Sequence, residues 1–139
     1  MYKMTKAIYE ALKKEENLKV FTEEYEGRSD VWLQFGIKNG GSYRIRFISN
    51  DDDNDVSVRI YSLLSVEESH RDKILPAINT LNRKYRFVKF VMDDEGDVNV
   101  EYDFPVTSTN PAVSAKELVI RIVKIVDDSY PVLMRAMWA

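Results

Sequence analysis

A short acidic turn between two runs of alternating apolar residues is the feature that most constrains the fold. Gly96 ends the turn Asp94–Gly96, and glycine readily takes the left-handed conformation on which three-residue hairpin loops end. A loop of this length places Asp93 directly opposite Asp97. The sequence therefore predicts a β-hairpin over about 88–104 with a single register.

The side chains on both faces of the hairpin support this register. Because side chains alternate between the two faces of a strand, six apolar residues then share one face: Val88, Phe90, Met92, Val98, Val100 and Tyr102. On the other face Lys89 lies opposite Glu101, which is a favourable cross-strand pair. A shift of one residue would lose the apolar face and the charged pair together.

Apolar residues at helical spacing predict three helices around the hairpin. The first covers about 4–16, the second begins near 69–72, and the third begins near residue 114. Pro76 is expected in the first turn of the second helix, where its missing N–H is tolerated. Pro131 is expected to bend or break the third helix. The residues expected to face inward are Met4, Ala7, Ile8, Ala11, Leu12, Ile74, Ile78, Leu81, Leu118, Val119, Ile122, Val123 and Val126.

Alternation with a period of two predicts an antiparallel meander between the first two helices. Its strands lie near 19–25, on both sides of Asn39-Gly40-Gly41, and over 55–64. A three-residue loop pairs Phe35 with Ile45 on the buried face, whereas a two-residue turn would put Phe35 on the face of Arg44. The order helix, strands, helix, hairpin, helix predicts an α+β fold, with three helices against an antiparallel β-sheet.

The composition limits the class of protein. A chain of 139 residues with 45% hydrophobic and 31% charged content fits a single domain over residues 1–139. The formal net charge of −3 gives no general attraction to nucleic acid or anionic membranes, so we expect neither as a partner. The chain has no cysteine. It also lacks a signal-peptide pattern and a membrane-spanning apolar stretch, and together these features favour a cytoplasmic protein.

Residue types that serve in catalytic and metal sites do not form a recognisable motif. The acidic run 50–55 lacks the glycine and glutamate of a calcium-binding EF-hand loop, since Val56 and Ser62 stand at those positions. A solvated loop is therefore favoured over a weak divalent-cation site. His70 is the single histidine, without a serine-nucleophile motif, and no phosphate-binding glycine motif occurs. We expect no cofactor, no metal site and no enzyme activity.

Three arginines fall close together on the outer face of the predicted meander. In the predicted registers, Arg46 lies opposite Gln34 and Arg59. Arg44 lies opposite Tyr61, and Trp32 is on the same face. Opposed like charges cost stability unless something neutralises them. The candidate partner-binding residues are therefore Trp32, Arg44, Arg46, Arg59 and Tyr61.

Two interpretations of these arginines are open. Glutamates of the same chain, such as Glu23 or Glu24, or solvent alone would neutralise them without any function. Alternatively, an acidic partner segment or an anionic ligand binds this face, and Trp32 and Tyr61 supply contact area beside the charges. The first interpretation is the simpler one.

The central and C-terminal stretches resemble a known family. Asn79-x-x-Asn82 is followed by Phe87, a strand, the acidic turn and the strand Val98–Phe104. The last helix carries Asp127-Asp128-Ser129-Tyr130-Pro131. This pattern resembles the YbjN-like bacterial family of sensory transduction regulators, over about 65–139 in detail and over the first half by element order. The asparagines themselves are expected to fix the helix end and the loop after it.

The resemblance implies the fold of the type III secretion chaperones and a regulatory role with no assigned reaction. Secretion chaperones of that fold are acidic cytoplasmic homodimers that hold an extended segment of another protein. We therefore expect a non-enzymatic regulatory or protein-binding module with an unidentified protein partner, itself a homodimer. A chaperone for a secreted or membrane-associated client and a small-molecule or anion sensor are the alternatives.

Overall fold

Three α-helices and six strands make up the regular structure of the described residues. A computed structural model describes residues 1–51, 55–104 and 111–139. The predicted α+β class is confirmed, whereas the likeness to type III secretion chaperones stays a prediction. In chain order the elements are α1 (Lys3–Lys13), β1 (Phe21–Tyr25), β2 (Arg28–Gly36), β3 (Ser42–Ser49), β4 (Val56–Ser65), a 3-10 turn (Glu68–His70), α2 (Arg71–Lys84), β5 (Lys89–Met92), β6 (Asp97–Phe104) and α3 (Pro111–Met137).

The strands form one antiparallel sheet in the order β1-β2-β3-β4-β6-β5. The first four are the predicted meander, and the β5–β6 hairpin joins it through β6. Its predicted register is confirmed, because Lys89 lies opposite Glu101. Gly96 has the expected positive φ of 90°, and the N–H of Asp93 donates to the carbonyl of Asp97 over 2.9 Å.

The predicted register of the β2–β3 hairpin is wrong by two residues. Phe35 pairs with Tyr43 instead of Ile45, because the connection between the strands has five residues, 37–41, and not three. A shift of two residues leaves every side chain on its predicted face. The buried and exposed faces were therefore predicted correctly, while the partners across the strands were not.

Contacts with α3 explain the longer connection. Ile37 leaves the ladder and is buried in the core, and its N–H donates to the carbonyl of Gly41 over 3.2 Å. The N–H of the next residue, Lys38, donates to Asp127 Oδ1 on α3 over 2.9 Å. The loop therefore closes over the helix, and burial of Ile37 outweighs the extra ladder pairs of a tighter turn.

The three helices cover one face of the sheet. The α1 helix packs on β2 and β3, α2 packs beside β5, and α3 packs against the other two helices. Eight of the thirteen helix residues predicted to face inward are buried, and Met4, Ala7, Ala11, Leu118 and Val123 are partly buried. The largest fully buried side chains are Phe47, Phe90, Ile8, Leu12, Ile45, Ile60, Leu63, Ile74, Leu81, Ile122, Leu133 and Val31.

The structure contradicts the predicted position of Pro76 and a break at Pro131, while a bend at Pro131 stays a prediction. Pro76 is the sixth residue of α2 and not in its first turn, and α3 runs unbroken from residue 111 to 137 through Pro131. Each proline removes one hydrogen bond to the carbonyl four residues earlier. Burial beyond each proline offsets this loss, since Ile78 and Leu133 lie in the core on the C-terminal side.

Asn82 fixes the end of α2 as expected. Its Oδ1 accepts the N–H of Phe90 over 2.7 Å, and its Nδ2 donates to the carbonyl of Phe90 over 3.0 Å. Asn79 is exposed and makes no such bond to any described residue. The acidic run 50–55, for which a solvated loop was favoured over a weak cation site, includes residues 52–54, which lie outside the described ranges.

Candidate functional site on the outer face of the sheet

One row of side chains crosses all six strands on the face turned away from the helices, here called the outer face. Phe21 is paired with Trp32, Trp32 with Arg46, and Arg46 with Arg59. Arg59 is then paired with Glu101, and Glu101 with Lys89. No described helix packs across this row, so a polar and aromatic surface faces outward.

A buried carboxylate on β2 binds two arginines beside this row. Asp30 is 0% exposed and accepts a bidentate pair from Arg28 Nε and Nη2, both over 2.7 Å. Arg46 Nη1 donates to the same carboxylate over 3.0 Å and to Glu23 Oε1 over 3.3 Å. Neutralisation of Arg46 within the chain, expected from Glu23, is therefore present.

Neighbouring side chains lower the pKa of Glu23. The hydroxyl of Tyr25 donates a short hydrogen bond to its carboxylate, and this bond, followed by the charge of Arg46, holds the pKa of Glu23 below its usual range. The same bond raises the pKa of the Tyr25 phenol. The indole N–H of Trp32 also contributes to the lowered pKa of Glu23. This N–H is buried, and no acceptor among the described residues has the geometry of a hydrogen bond to it.

Arg59 is neutralised by two carboxylates of β6. Its Nη1 donates to Asp103 Oδ1 over 2.5 Å, and its Nη2 lies 3.9 Å from Glu101 Oε1. Burial alone would raise the pKa of Asp103, but the hydrogen bond and charge of Arg59 outweigh it and lower the pKa. Arg46 and Arg59 do lie opposite each other, as predicted, and each turns to a different pair of carboxylates.

Arg44 has different surroundings from its two neighbours. Its guanidinium lies 3.9 Å over the ring of Trp32, and its side chain is exposed. Among the described residues, no carboxylate lies within 4 Å of it. Trp32 also stacks on Phe21, with 4.4 Å between centroids and 19° between the ring planes. Contact with Trp32 thus restricts the charged group of Arg44, and this group has no acidic partner in the described part of the chain.

A cleft opens beside Arg44 because β3 and β4 separate. Their ladder has three pairs, from Arg46–Arg59 to Ile48–Ser57. The predicted pairing of Arg44 with Tyr61 is absent from it, because the register of β4 shifts between residues 60 and 64. The resulting cleft of about 470 Å³ is lined by Ser42, Tyr43, Arg44, Arg46, Tyr61 and Ser62.

The structure thus brings four of the five predicted site residues together. Arg44, Arg46 and Tyr61 line the cleft, and Trp32 lies against Arg44. Arg59 is committed to Asp103 instead.

Sequence reasoning missed three contributors to this face. Phe21 and Tyr25 are 45% and 50% exposed and extend the aromatic surface, and alternation along β1 was a signal for both. The third is Asp30, and nothing in the sequence signalled that its carboxylate would be fully buried.

Two further features are absent from the described residues, a metal-binding cluster and a membrane-spanning helix. No group of three or more histidine or acidic side chains within them is arranged to hold a metal ion. None of the helices in the described ranges is both long and apolar enough to cross a bilayer.

Comparison with known proteins assigns a family. A family model described as "Putative bacterial sensory transduction regulator" matches residues 24–133, most of the chain. The chain belongs to the YbjN family. The resemblance seen in the C-terminal half is confirmed, and the YbjN match extends it across β2, β3 and β4, which carry the cleft. No curated protein and no solved structure gave a significant match to the chain.

Proposed function

We propose that this YbjN-family chain is a non-enzymatic regulatory module that binds an acidic segment of a partner protein on its outer face. The exposed guanidinium of Arg44, held on Trp32 without a carboxylate among the described residues, is the observation that carries this function. Arginine and aromatic side chains together are typical of the residues that dominate protein interfaces. The family description supports the regulatory role.

The arrangement supplies affinity in two ways. Stacking on Trp32 restricts the Arg44 side chain before binding, which lowers the entropy cost of ordering it. Phe21, Tyr25 and Tyr61 are each about half exposed, at 45%, 50% and 47%, and they add apolar area around the charge. Recognition of an acidic segment is therefore local, because the chain as a whole carries a net charge of −3.

Partner recovery from a bacterial lysate tests this function. Tagged natural chain, Arg44→Glu and Arg86→Glu are used as baits, and bound proteins are quantified by mass spectrometry. Arg86 is an exposed arginine on the connection between α2 and β5, so Arg86→Glu makes the same charge change away from the candidate surface. A partner recovered by the natural chain and by Arg86→Glu, but lost with Arg44→Glu, is the expected result.

Equal recovery with all three baits contradicts the proposal. Thermal unfolding of each bait separates this outcome from misfolding, since exposed Arg44 is expected to tolerate substitution. A partner that binds all three baits equally would use a different surface.

A further inference from the structure

We propose that the cleft between β3 and β4 binds a small phosphate-bearing anion, with Arg44 as its principal ligand. This site goes beyond the protein-binding function and stands whether or not a protein partner uses the same face. It rests on three observations: a local backbone distortion, the orientation of Arg44, and the balance of charge around the cleft.

The distortion that opens the cleft is centred on Ser62. This residue has a φ of 55°, in the left-handed region that side-chain-bearing residues seldom adopt. The N–H of Ser62 donates to Asn99 Oδ1 on β6 over 2.8 Å, at the point where the ladder between β4 and β6 is interrupted. Bulges of this kind commonly lie beside binding sites, where they redirect side chains. Here the shift leaves Tyr61 and Ser62 lining the cleft.

A hydrogen-bond network holds this distortion in place. Asn99 is 8% exposed, and its Nδ2 lies 3.3 Å from Asp93 Oδ2. Asp93 in turn accepts the N–H groups of Glu95 and Asp97, each over 3.0 Å. The hairpin turn therefore fixes the bulge of the neighbouring strand. Backbone strain that is held this firmly is characteristic of functional sites.

Arg44 presents its hydrogen-bond donors to a ligand. The central carbon of the Arg44 guanidinium lies 3.9 Å from the centre of the Trp32 ring, and the five N–H donors lie in the plane of the guanidinium. These donors remain available at the edge of the stack, in the fork geometry that matches two oxygens of one phosphate group. Hydroxyl-bearing Ser42, Tyr61 and Ser62 line the same cleft and can donate to further phosphate oxygens.

The charge balance around Arg44 favours an anion. The group beside it contains Arg28 and Arg46, and these are neutralised by Asp30 and Glu23. Arg44 is the additional positive charge of this group. The cleft of about 470 Å³ has the size of a small-ligand site, so a phosphate group with a modest organic part fits it.

Fluorescence of Trp32 tests the site directly. The chain has two tryptophans, so Trp138→Phe, at an exposed position near the C-terminus, leaves Trp32 as the sole reporter. Inorganic phosphate and pyrophosphate are titrated at constant ionic strength set with sodium chloride. A saturable change in Trp32 emission is expected, because an anion on Arg44 alters the stacked pair. Arg44→Gln should weaken binding about ten-fold or more, as expected for a hydrogen bond to a charged group.

Arg86→Gln in the same background is the matched control and should bind like the parent. Calorimetric titration of the natural chain repeats the measurement without the reporter. The site is overturned if neither phosphate probe gives saturable binding by either method, or if Arg44→Gln binds as tightly as the control. Citrate binding as tightly as pyrophosphate would overturn the assignment to phosphate. Loss of a protein partner with Arg44→Glu, without phosphate binding, would leave the protein-binding function intact and remove this site.

Discussion

At the scale of single residues, two arginines on one strand have different roles. Arg46 is 15% exposed at its side chain and bonds the buried carboxylate of Asp30, whereas Arg44 is exposed and stacks on Trp32. Burial and hydrogen bonding assign Arg46 to the stability of the fold. Exposure and the lack of a described carboxylate are the features that support the proposed binding role of Arg44.

Replacing each arginine with alanine should separate these roles. Arg46→Ala is expected to lower the free energy of unfolding by about 1–3 kcal/mol, because Asp30 then keeps Arg28 alone as an ionic partner among the described residues. Arg44→Ala should cost less than about 1 kcal/mol, the contribution of an exposed cation–π contact. Urea denaturation measures both values. Equal losses would contradict the division of roles.

The acidic turn should make stability depend on pH. The backbone N–H of Asp97 is the main cause of a lowered pKa at Asp93, helped by the amide of Asn99. A carboxylate whose pKa is lowered on folding stabilises the fold above its ordinary pKa, near 3.8 here, and this stabilisation is lost as the pH falls through the folded-state value.

The test compares urea midpoints at neutral pH and at about pH 2.5, below the ordinary aspartate pKa. Asp93→Asn should reduce the loss of stability between the two conditions, because the substituted side chain does not titrate. Asp94→Asn in the same turn should retain the full acid dependence. If Asp93→Asn shows the natural loss, the turn is not the source of the pH dependence.

At the scale of elements, the β2–β3 connection shows how a helix sets a strand register. A Cβ placed on Gly40 would lie 2.5 Å from Ile37 Cδ1 and 3.1 Å from Tyr130 Cε1 of α3. On Gly41 the nearest atom would be the Tyr43 hydroxyl at 3.9 Å. The first glycine is therefore required by close packing, while the second has room for a side chain.

Gly40→Ala should destabilise the chain by about 1–3 kcal/mol, as overpacking at a buried contact does. Gly41→Ala should change stability by less than about 0.5 kcal/mol, as a substitution with room for its methyl group. Thermal unfolding distinguishes the two variants. A destabilised Gly41→Ala variant would show that the backbone of the loop, and not its packing on α3, is limiting.

At the scale of the whole molecule, the chain has one covered face and one open face. The helices bury the apolar side of the sheet, while Phe21, Tyr25, Arg44 and Tyr61 are exposed on the outer face. Exposed apolar area of this kind is typical of association surfaces. It is consistent with either a protein partner or a second copy of the chain.

From the family resemblance we propose that the chain acts in the cytoplasm as a homodimer. Sedimentation equilibrium should give twice the chain mass of 16.2 kDa. A concentration-independent mass of one chain would contradict the dimer. Phe21→Ser and Arg86→Ser then indicate whether the outer face forms the dimer interface, since only the first should shift the equilibrium toward monomer.

Local patterns in the sequence determined much of the element order, the two faces of strands β2 to β6, the inward stripes of the helices and the register around Gly96. These features follow from side-chain periodicity and short-range turn chemistry. The family was also readable from the spacing of Asn82, Phe87 and the acidic turn.

Only the tertiary structure decided the features that depend on contacts between distant segments. Contacts with α3 lengthened the β2–β3 connection. Burial of core residues beyond Pro76 and Pro131 offset the hydrogen bonds that these prolines remove from α2 and α3. Asp30 became a buried ion-pair centre because arginines from two strands meet there. Arg44 lies beside a cleft, and not opposite Tyr61, because the ladder between β3 and β4 ends at Arg46–Arg59. Periodicity assigns a side chain to a face, but only the packed chain brings its partners within reach.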